Sequence, residues 1–216
     1  MNAPATCIAR TPTGQGLDGI GLLARLRQAT RPVHHELERH PLLRPLLSAD
    51  LSRRNYVRVL GAFAAFYRDM EPGLTAALDA LIIQGDTSAR YRYRPRLVML
   101  QQDLDDLGAQ QAGVGAPLPR LPALETPEAL LGVLYVLEGA TQGGRVIAPR
   151  LAQALNLGPA FGARYFHLHE VGQWPHLKRV LMTSSGDGAV AAEAALCTFS
   201  ALRDSLNRNQ HLPDRS

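Results

Sequence analysis

Residues 126–150, TPEALLGVLYVLEGATQGGRVIAPR, read as a helix that carries helix-damaging residues at its centre. Thr126 is a good N-cap, Pro127 suits the first turn, and Glu128 sits where the helix dipole favours a negative charge. Residues 130–137 are apolar almost throughout, and then Gly139, Gly143 and Gly144 follow. Each glycine costs about 1 kcal/mol of helix stability relative to alanine, so something must offset them. At about 100° per residue, Gly132, Gly139 and Gly143 share one stripe with Tyr135 and Val146 nearby, which leaves one face nearly bare backbone. Two uses fit such a face: close packing of a second helix, or contact with a flat ligand.

The rest of the chain has to be compatible with that helix. Its 216 residues suit one domain with ample material for a core, and 46% hydrophobic with 19% charged residues are globular values. No apolar run is long enough to span a membrane. The first sixteen residues lack the apolar stretch of a signal peptide and read as a flexible tail, so the expected location is cytoplasmic. Cys7 and Cys197 are too few for a disulfide framework or a zinc site. The formal charge of +4 is spread along the chain among Asp and Glu, which argues against nucleic-acid binding.

Helical spacing recurs from end to end. A first helix begins near Leu17, with Leu22, Leu23, Leu26, Val33 and Leu37 in register and a kink expected at Pro32. On it, His34 and Glu38 are four apart, and Arg27 and Thr30 share their stripe. His35, flanked at helical spacing by Arg31 and Arg39, reads as solvated, so His34 is the candidate functional histidine. Residues 51–83 form one long helix or two broken at Pro72-Gly73, with Tyr56, Leu60, Phe63, Phe66, Tyr67 and Met70 as a core stripe. A helix over 91–107 ends in Asp103, Asp105 and Asp106, read as a solvated end, and a Gly/Pro-rich loop leads to Thr126. Beyond the Gly-rich helix, which is expected to run on to Leu157, His167-x-His169 with His176 is a weak metal candidate without carboxylate or cysteine support. Helices over 171–182 and 189–206 follow. No segment reads as a strand, and the expected fold is all-α: one domain over 17–207, with polar tails at 1–16 and 208–216.

Combined, the two unusual helices suggest the walls of a slot for a planar, iron-centred macrocycle. Neutral imidazole at His34 suits an axial ligand, and Glu38 would fix its ring and tautomer. Backbone at Gly139 and Gly143 would approach the opposite face, while Arg27, Lys178 and Arg179 are candidates for holding propionates.

LRQATRPVHxxxE, residues 26–38, resembles the proximal helix of the heme oxygenase family, and YVLEGATQGG, residues 135–144, resembles its distal helix. The resemblance spans roughly 22–206 and is most similar to the bacterial branch associated with bacteriophytochromes. It implies heme b as both cofactor and substrate, His34 as iron ligand, and heme contacts from Thr30, Glu38, Tyr135, Gly139, Gly143 and Gly144. It further implies dioxygen as co-substrate, an external soluble electron donor of ferredoxin or flavodoxin type, and cleavage, at the α position, to biliverdin, iron and carbon monoxide. A bacteriophytochrome would receive the bilin. Many members carry an aspartate immediately after the first distal glycine, where it organises water; here that residue is Ala140. Water held by the Gly139 and Gly143 backbone, with Gln142, Thr141 or Tyr135 nearby, is the expected substitute. The alternative that Ala140 favours is a heme carrier or sensor that does not degrade heme.

Overall fold

The computed structural model describes residues 21–83, 92–109 and 116–210. Among them are seven α-helices: α1 (Leu22–Glu38), α2 (Arg53–Ile83), α3 (Leu97–Asp106), α4 (Pro127–Thr141), α5 (Gly144–Leu155), α6 (Trp174–Thr183) and α7 (Gly188–Gln210). Two short 3-10 turns, Arg44–Leu47 and Tyr165–Glu170, join them. No strand occurs among the described residues, only isolated bridges from Gly158 to Phe161 and Gly162. The all-α architecture expected from the spacing is the one observed.

The α2 stripe forms the centre of the core. Tyr56, Leu60, Phe63, Phe66, Tyr67 and Met70 are all buried, and Phe63 packs on Tyr165 with ring centroids 5.3 Å apart. α2 runs as one element through Pro72 and Gly73, and α1 runs through Pro32. α7 is the common partner of α1, α2 and α4. Its buried small side chains, Ala191, Ala194, Ala195 and Ala201, let those helices approach closely. Both α1 and α4 also pack on α6, so these two helices are held by the same pair of neighbours.

Several element ends differ from the sequence reading, each for a local reason. α3 starts at Leu97 instead of 91, because Pro95 disfavours helical backbone in the residue before it. α6 starts at Trp174, with Pro175 in its first turn. α7 continues to Gln210, where Arg208 donates to the carbonyls of Ala116 and Pro117, so residues 208–210 belong to the domain and not to a tail. The 1–16 tail lies outside the described residues.

The Gly-rich run is two helices, not one. Thr126 caps α4 as expected, its hydroxyl accepting from the Ala129 N–H at 3.2 Å. α4 stops at Thr141, Gln142 and Gly143 form a bend with helical dihedrals, and α5 ends at Asn156 in the left-handed region at φ 55°. The acidic end of α3 is likewise not a solvated terminus. Asp103 is fully buried and accepts from the backbone N–H groups of Arg164 at 2.9 Å and Tyr165 at 3.0 Å. Asp106 accepts from the Arg164 guanidinium and from the Gly162 N–H, and Asp105 alone of the three is exposed. These contacts fasten the segment that leads into the 3-10 turn at 165–170.

Candidate active site

α1 brings His34 to the face it shares with α7. The His34 ring lies edge-on to Phe199, centroids 6.2 Å apart, and its side chain is 58% exposed, so the imidazole is anchored on one side and open on the other. Glu38 reaches both histidines: its carboxylate is 3.5 Å from His34 Nδ1 and 3.0 Å from His35 Nδ1. A carboxylate near Nδ1 favours the proton there and leaves Nε2 with its lone pair free to bind a metal. Sharing with His35 is a feature that spacing alone did not reveal.

One turn before His34, Thr30 is buried, donates to the Leu26 carbonyl at 2.7 Å, and lies 3.3 Å from the Tyr135 hydroxyl. This hydrogen bond ties α1 to α4. Tyr135 stacks obliquely on Trp174, centroids 5.9 Å apart, so α6 contributes an aromatic wall beside the glycine stripe. Lys178 lies one turn beyond Trp174 and is half-buried, whereas Arg179 and Arg27 are exposed.

The glycines separate into two kinds. A methyl group at Gly132 would lie 2.0 Å from the Ala191 carbonyl oxygen, and one at Gly144 would lie 2.1 Å from the Phe166 carbonyl oxygen. Both are buried and serve close packing, Gly132 against α7 and Gly144 against the 3-10 turn. The space where a Gly144 side chain would stand is filled by protein. Gly139 and Gly143 differ. A methyl at Gly139 would meet only Trp174 Cζ3 at 3.8 Å, and one at Gly143 would meet the Ala140 carbonyl oxygen at 3.3 Å and Ile147 Cδ1 at 3.7 Å. Protein packing does not demand glycine at Gly139, and at Gly143 a methyl would need the Ala140 carbonyl to give by a few tenths of an ångström, although each glycine lowers helix propensity. A flat group lying against the backbone would demand it, and imidazole on α1 supplies the donor such an iron macrocycle needs. The residues present thus fit heme.

The polar neighbours of the bend sort by direction. Thr141 is buried on the side away from the glycine stripe and donates to the Glu138 carbonyl at 2.6 Å, so it drops out as a water-holding candidate. Gln142 is tied sideways, its amide N donating to Thr141 Oγ1 at 3.1 Å and its amide O accepting from Arg145 at 3.1 Å. Ala140 is exposed and carries no polar atom beyond its backbone. Tyr135 is left as the polar side chain on the stripe itself.

Two functional-site neighbours were not foreseen. Glu138, next to Gly139, is buried and accepts from the Arg96 guanidinium at 2.6 Å. Its other oxygen accepts from the Gln173 N–H at 3.1 Å, at the start of α6. A charge ending the apolar run 130–137 was the signal for Glu138; nothing in the sequence marked Arg96 as its partner. Burial raises the phenol pKa of Tyr67 well above the ordinary range and pushes that of Tyr165 up as well, and their hydroxyls meet at 3.2 Å. Among the described residues no group of three or more His, Cys, Asp or Glu side chains gathers to hold a metal ion. His167 pairs with Glu170 at 2.8 Å and His169 Nδ1 bonds the Phe166 carbonyl at 2.9 Å, so the HxH element serves its own turn. No described helix is long and apolar enough to cross a membrane.

Solved structures share this fold. Heme oxygenase from Neisseria meningitidis, in its NO- and CO-bound forms, superposes with a TM-score of 0.67 at 21% identity over 91% of this chain and 96% of that one. Heme oxygenase from Leptospira interrogans gives 0.66 at 22% identity, over 88% and 100%. Heme oxygenase-1 from the cyanobacterium Synechocystis, in complex with heme, gives 0.60 at 16% identity, over 88% and 92%. These likenesses establish the fold. In sequence, a heme oxygenase of Xanthomonas campestris pv. campestris (strain 8004) is 30% identical over 155 residues, which are 71% of this chain and 87% of the relative. The family model for heme oxygenase matches residues 20–179, a stretch that holds both α1 with His34 and α4 with its glycines. The chain belongs to the heme oxygenase family and is an enzyme of heme degradation.

Proposed function

We propose that this chain binds heme b between α1 and the α4–α5 bend and opens it, with dioxygen and electrons from a soluble donor of ferredoxin or flavodoxin type, to biliverdin, iron and carbon monoxide. The observation that carries the reading is Gly139, which packing leaves free to be larger and which is glycine nonetheless, with Gly143 one turn on and crowded only by the Ala140 carbonyl oxygen at 3.3 Å. Heme, when bound, supplies the iron at which dioxygen is reduced and the macrocycle that is opened. The protein supplies position and protons.

His34 Nε2 would hold the iron, with Glu38 keeping the proton on Nδ1 and the ring in orientation. Gly139 and Gly143 would bring backbone against the bound group. Tyr135, held by Thr30, and water ordered on that backbone take the place of the acid missing at Ala140 and deliver the proton that the reaction consumes. Lys178, Arg179 and Arg27 hold the propionates by charge-assisted hydrogen bonds and set which edge of the macrocycle faces the bend, giving the α isomer. A bacteriophytochrome is the proposed recipient of the bilin.

The second reading, a carrier or sensor, rests on the exposed methyl of Ala140. One titration separates the two. Hemin is added, the Soret band recorded, and ascorbate or ferredoxin with its reductase supplied. Loss of the Soret band with growth of biliverdin absorption is the expected result; a stable heme complex without pigment identifies a carrier. In the same assay His34→Ala should abolish normal axial ligation, while His35→Ala leaves the spectrum nearly unchanged. The reverse pattern would move the ligand to His35.

A further inference from the structure

The buried pair Arg96–Glu138 lies directly behind the distal wall and takes no part in the ligand contacts above. Its side chains are 2% and 4% exposed, and the guanidinium donates to Glu138 Oε1 at 2.6 Å. A charge pair removed from water loses much of its attraction to desolvation, so it is weak evidence for stability in itself. What it joins is more informative. Arg96 is the residue before α3, where its own backbone N–H donates to Glu71 of α2 at 2.5 Å, and its guanidinium lies over the rings of Tyr93 and Tyr67 at 4.7 and 5.7 Å. The arginine is thus fixed by α2 and α3 before it meets α4.

Glu138 passes that position on. Its second oxygen accepts from the Gln173 N–H at 3.1 Å, fixing the residue that immediately precedes Trp174. The link between the 3-10 turn and α6 packs tightly here: a methyl at Gly172 would lie 2.9 Å from the Leu168 carbonyl oxygen and 3.6 Å from both Glu138 Oε2 and Thr141 Oγ1. Trp174 then borders Gly139, with its Cζ3 3.8 Å from where a Cβ would stand. One carboxylate therefore sets two parts of the distal wall, the Gly139 backbone beside it in sequence and the indole beside it in space.

We infer that Arg96 and Glu138 are positioning residues for the reaction: together they set the height of the Gly139 backbone and of Trp174 over the bound macrocycle. The inference rests on the heme-cleaving reading above. Geometry over the reacting group is where small shifts weigh most, since misplacement by about 1 Å can cost on the order of a hundredfold in rate.

The test uses the full chain as Glu138→Gln, and as the double variant Arg96→Met with Glu138→Gln, which leaves no unpaired charge in the core. Melting by circular dichroism establishes folding. Each folded variant is loaded with hemin, reduced and given carbon monoxide. The expected result is hemin affinity close to the unaltered protein, a shifted and broadened carbon-monoxide stretching band, and biliverdin formation slower by ~10- to 100-fold with KM little changed. Glu138→Asp should recover part of the rate if its shorter carboxylate still meets Arg96. A variant that melts lower yet keeps the band position, the rate and the KM overturns the inference, because the pair would then be structural only. Collapse of both the single and the double variant overturns it too, since the pair would be required for the fold. Failure of the unaltered protein to bind hemin would instead sink the heme-cleaving reading, before any variant is compared.

Discussion

Two pairs of glycines along one helical run meet opposite surroundings. Gly132 and Gly144 face backbone carbonyls so close that a methyl group would stand 2.0 and 2.1 Å from oxygen; at Gly139 a methyl would be in ordinary contact at 3.8 Å, and at Gly143 it would meet the Ala140 carbonyl oxygen at 3.3 Å, a far milder crowding. The first pair is glycine because α7 and the 3-10 turn press against it. Gly139 has no such reason within the protein and Gly143 a much weaker one, and in the proposed function both lie against the bound macrocycle. A face of small residues is thus two things at once, and only the neighbours tell them apart.

The sharpest way to break this comparison is to fill both kinds. Gly132→Ala gains about 1 kcal/mol of helix propensity but forces α4 away from α7, and overpacking of that severity costs roughly 3 kcal/mol or more. A net drop in melting temperature of several degrees, for Gly132→Ala and Gly144→Ala alike, is expected from thermal unfolding. An unchanged melting temperature in either would mean that the close approach relaxes without cost, and the division between the pairs would fail.

Gly139→Ala is the counterpart and should move the other way. Nothing but Trp174 Cζ3 is in contact range, so the substitution is expected to stabilise the ligand-free protein by up to about 1 kcal/mol. In a hemin titration the same variant should bind more weakly or with an altered Soret band, and Gly139→Leu more so. Loss of stability without any change in hemin binding would assign Gly139 to packing after all.

How much of this was legible beforehand follows the same line. The helices, the Thr126 cap and the aromatic core stripe of α2 were all readable, because each depends on local spacing. The Gly139 and Gly143 stripe was readable as unusual. Its division from Gly132 and Gly144 was not, because that depends on the Ala191 and Phe166 carbonyls, which arrive from distant parts of the chain. Asp103 was misread for the same reason: its partners Arg164 and Tyr165 lie some sixty residues away. The break at Gln142-Gly143 also escaped the pattern, since both residues keep helical dihedrals and differ only in that their N–H groups bond carbonyls three residues back. Glu138 stood out as a charge beside an apolar run, but its partner was invisible until α3 was in place.

The smallest expected effect concerns the support beneath Gly144. Arg164 and Gly162 donate to Asp106, fastening the segment that ends in the Phe166 carbonyl on which Gly144 rests. The Arg164 hydrogen bond holds the Asp106 carboxyl below its usual range, whereas burial pushes the neighbouring Asp103 carboxyl up. The two therefore act on stability with opposite sign. Asp106, with a folded-state pKa below its unfolded value, contributes stability that is present above the unfolded pKa and lost as pH falls through the folded one. Asp103, with its pKa raised, favours the folded state below its unfolded pKa, and that contribution is lost as pH rises through the folded value. Asp106→Asn removes only the first of these. Melting curves from neutral pH down to about pH 2 should show the variant below the unaltered protein at neutral pH, with the gap closing as the carboxyl range near pH 4 is crossed. The hemin spectrum should stay the same throughout, because Asp106 supports the filled glycine and not the open ones. A gap that is constant with pH would remove the Arg164 pairing as its cause, and a shifted Soret band would show that the two halves of the glycine run are coupled and not separate.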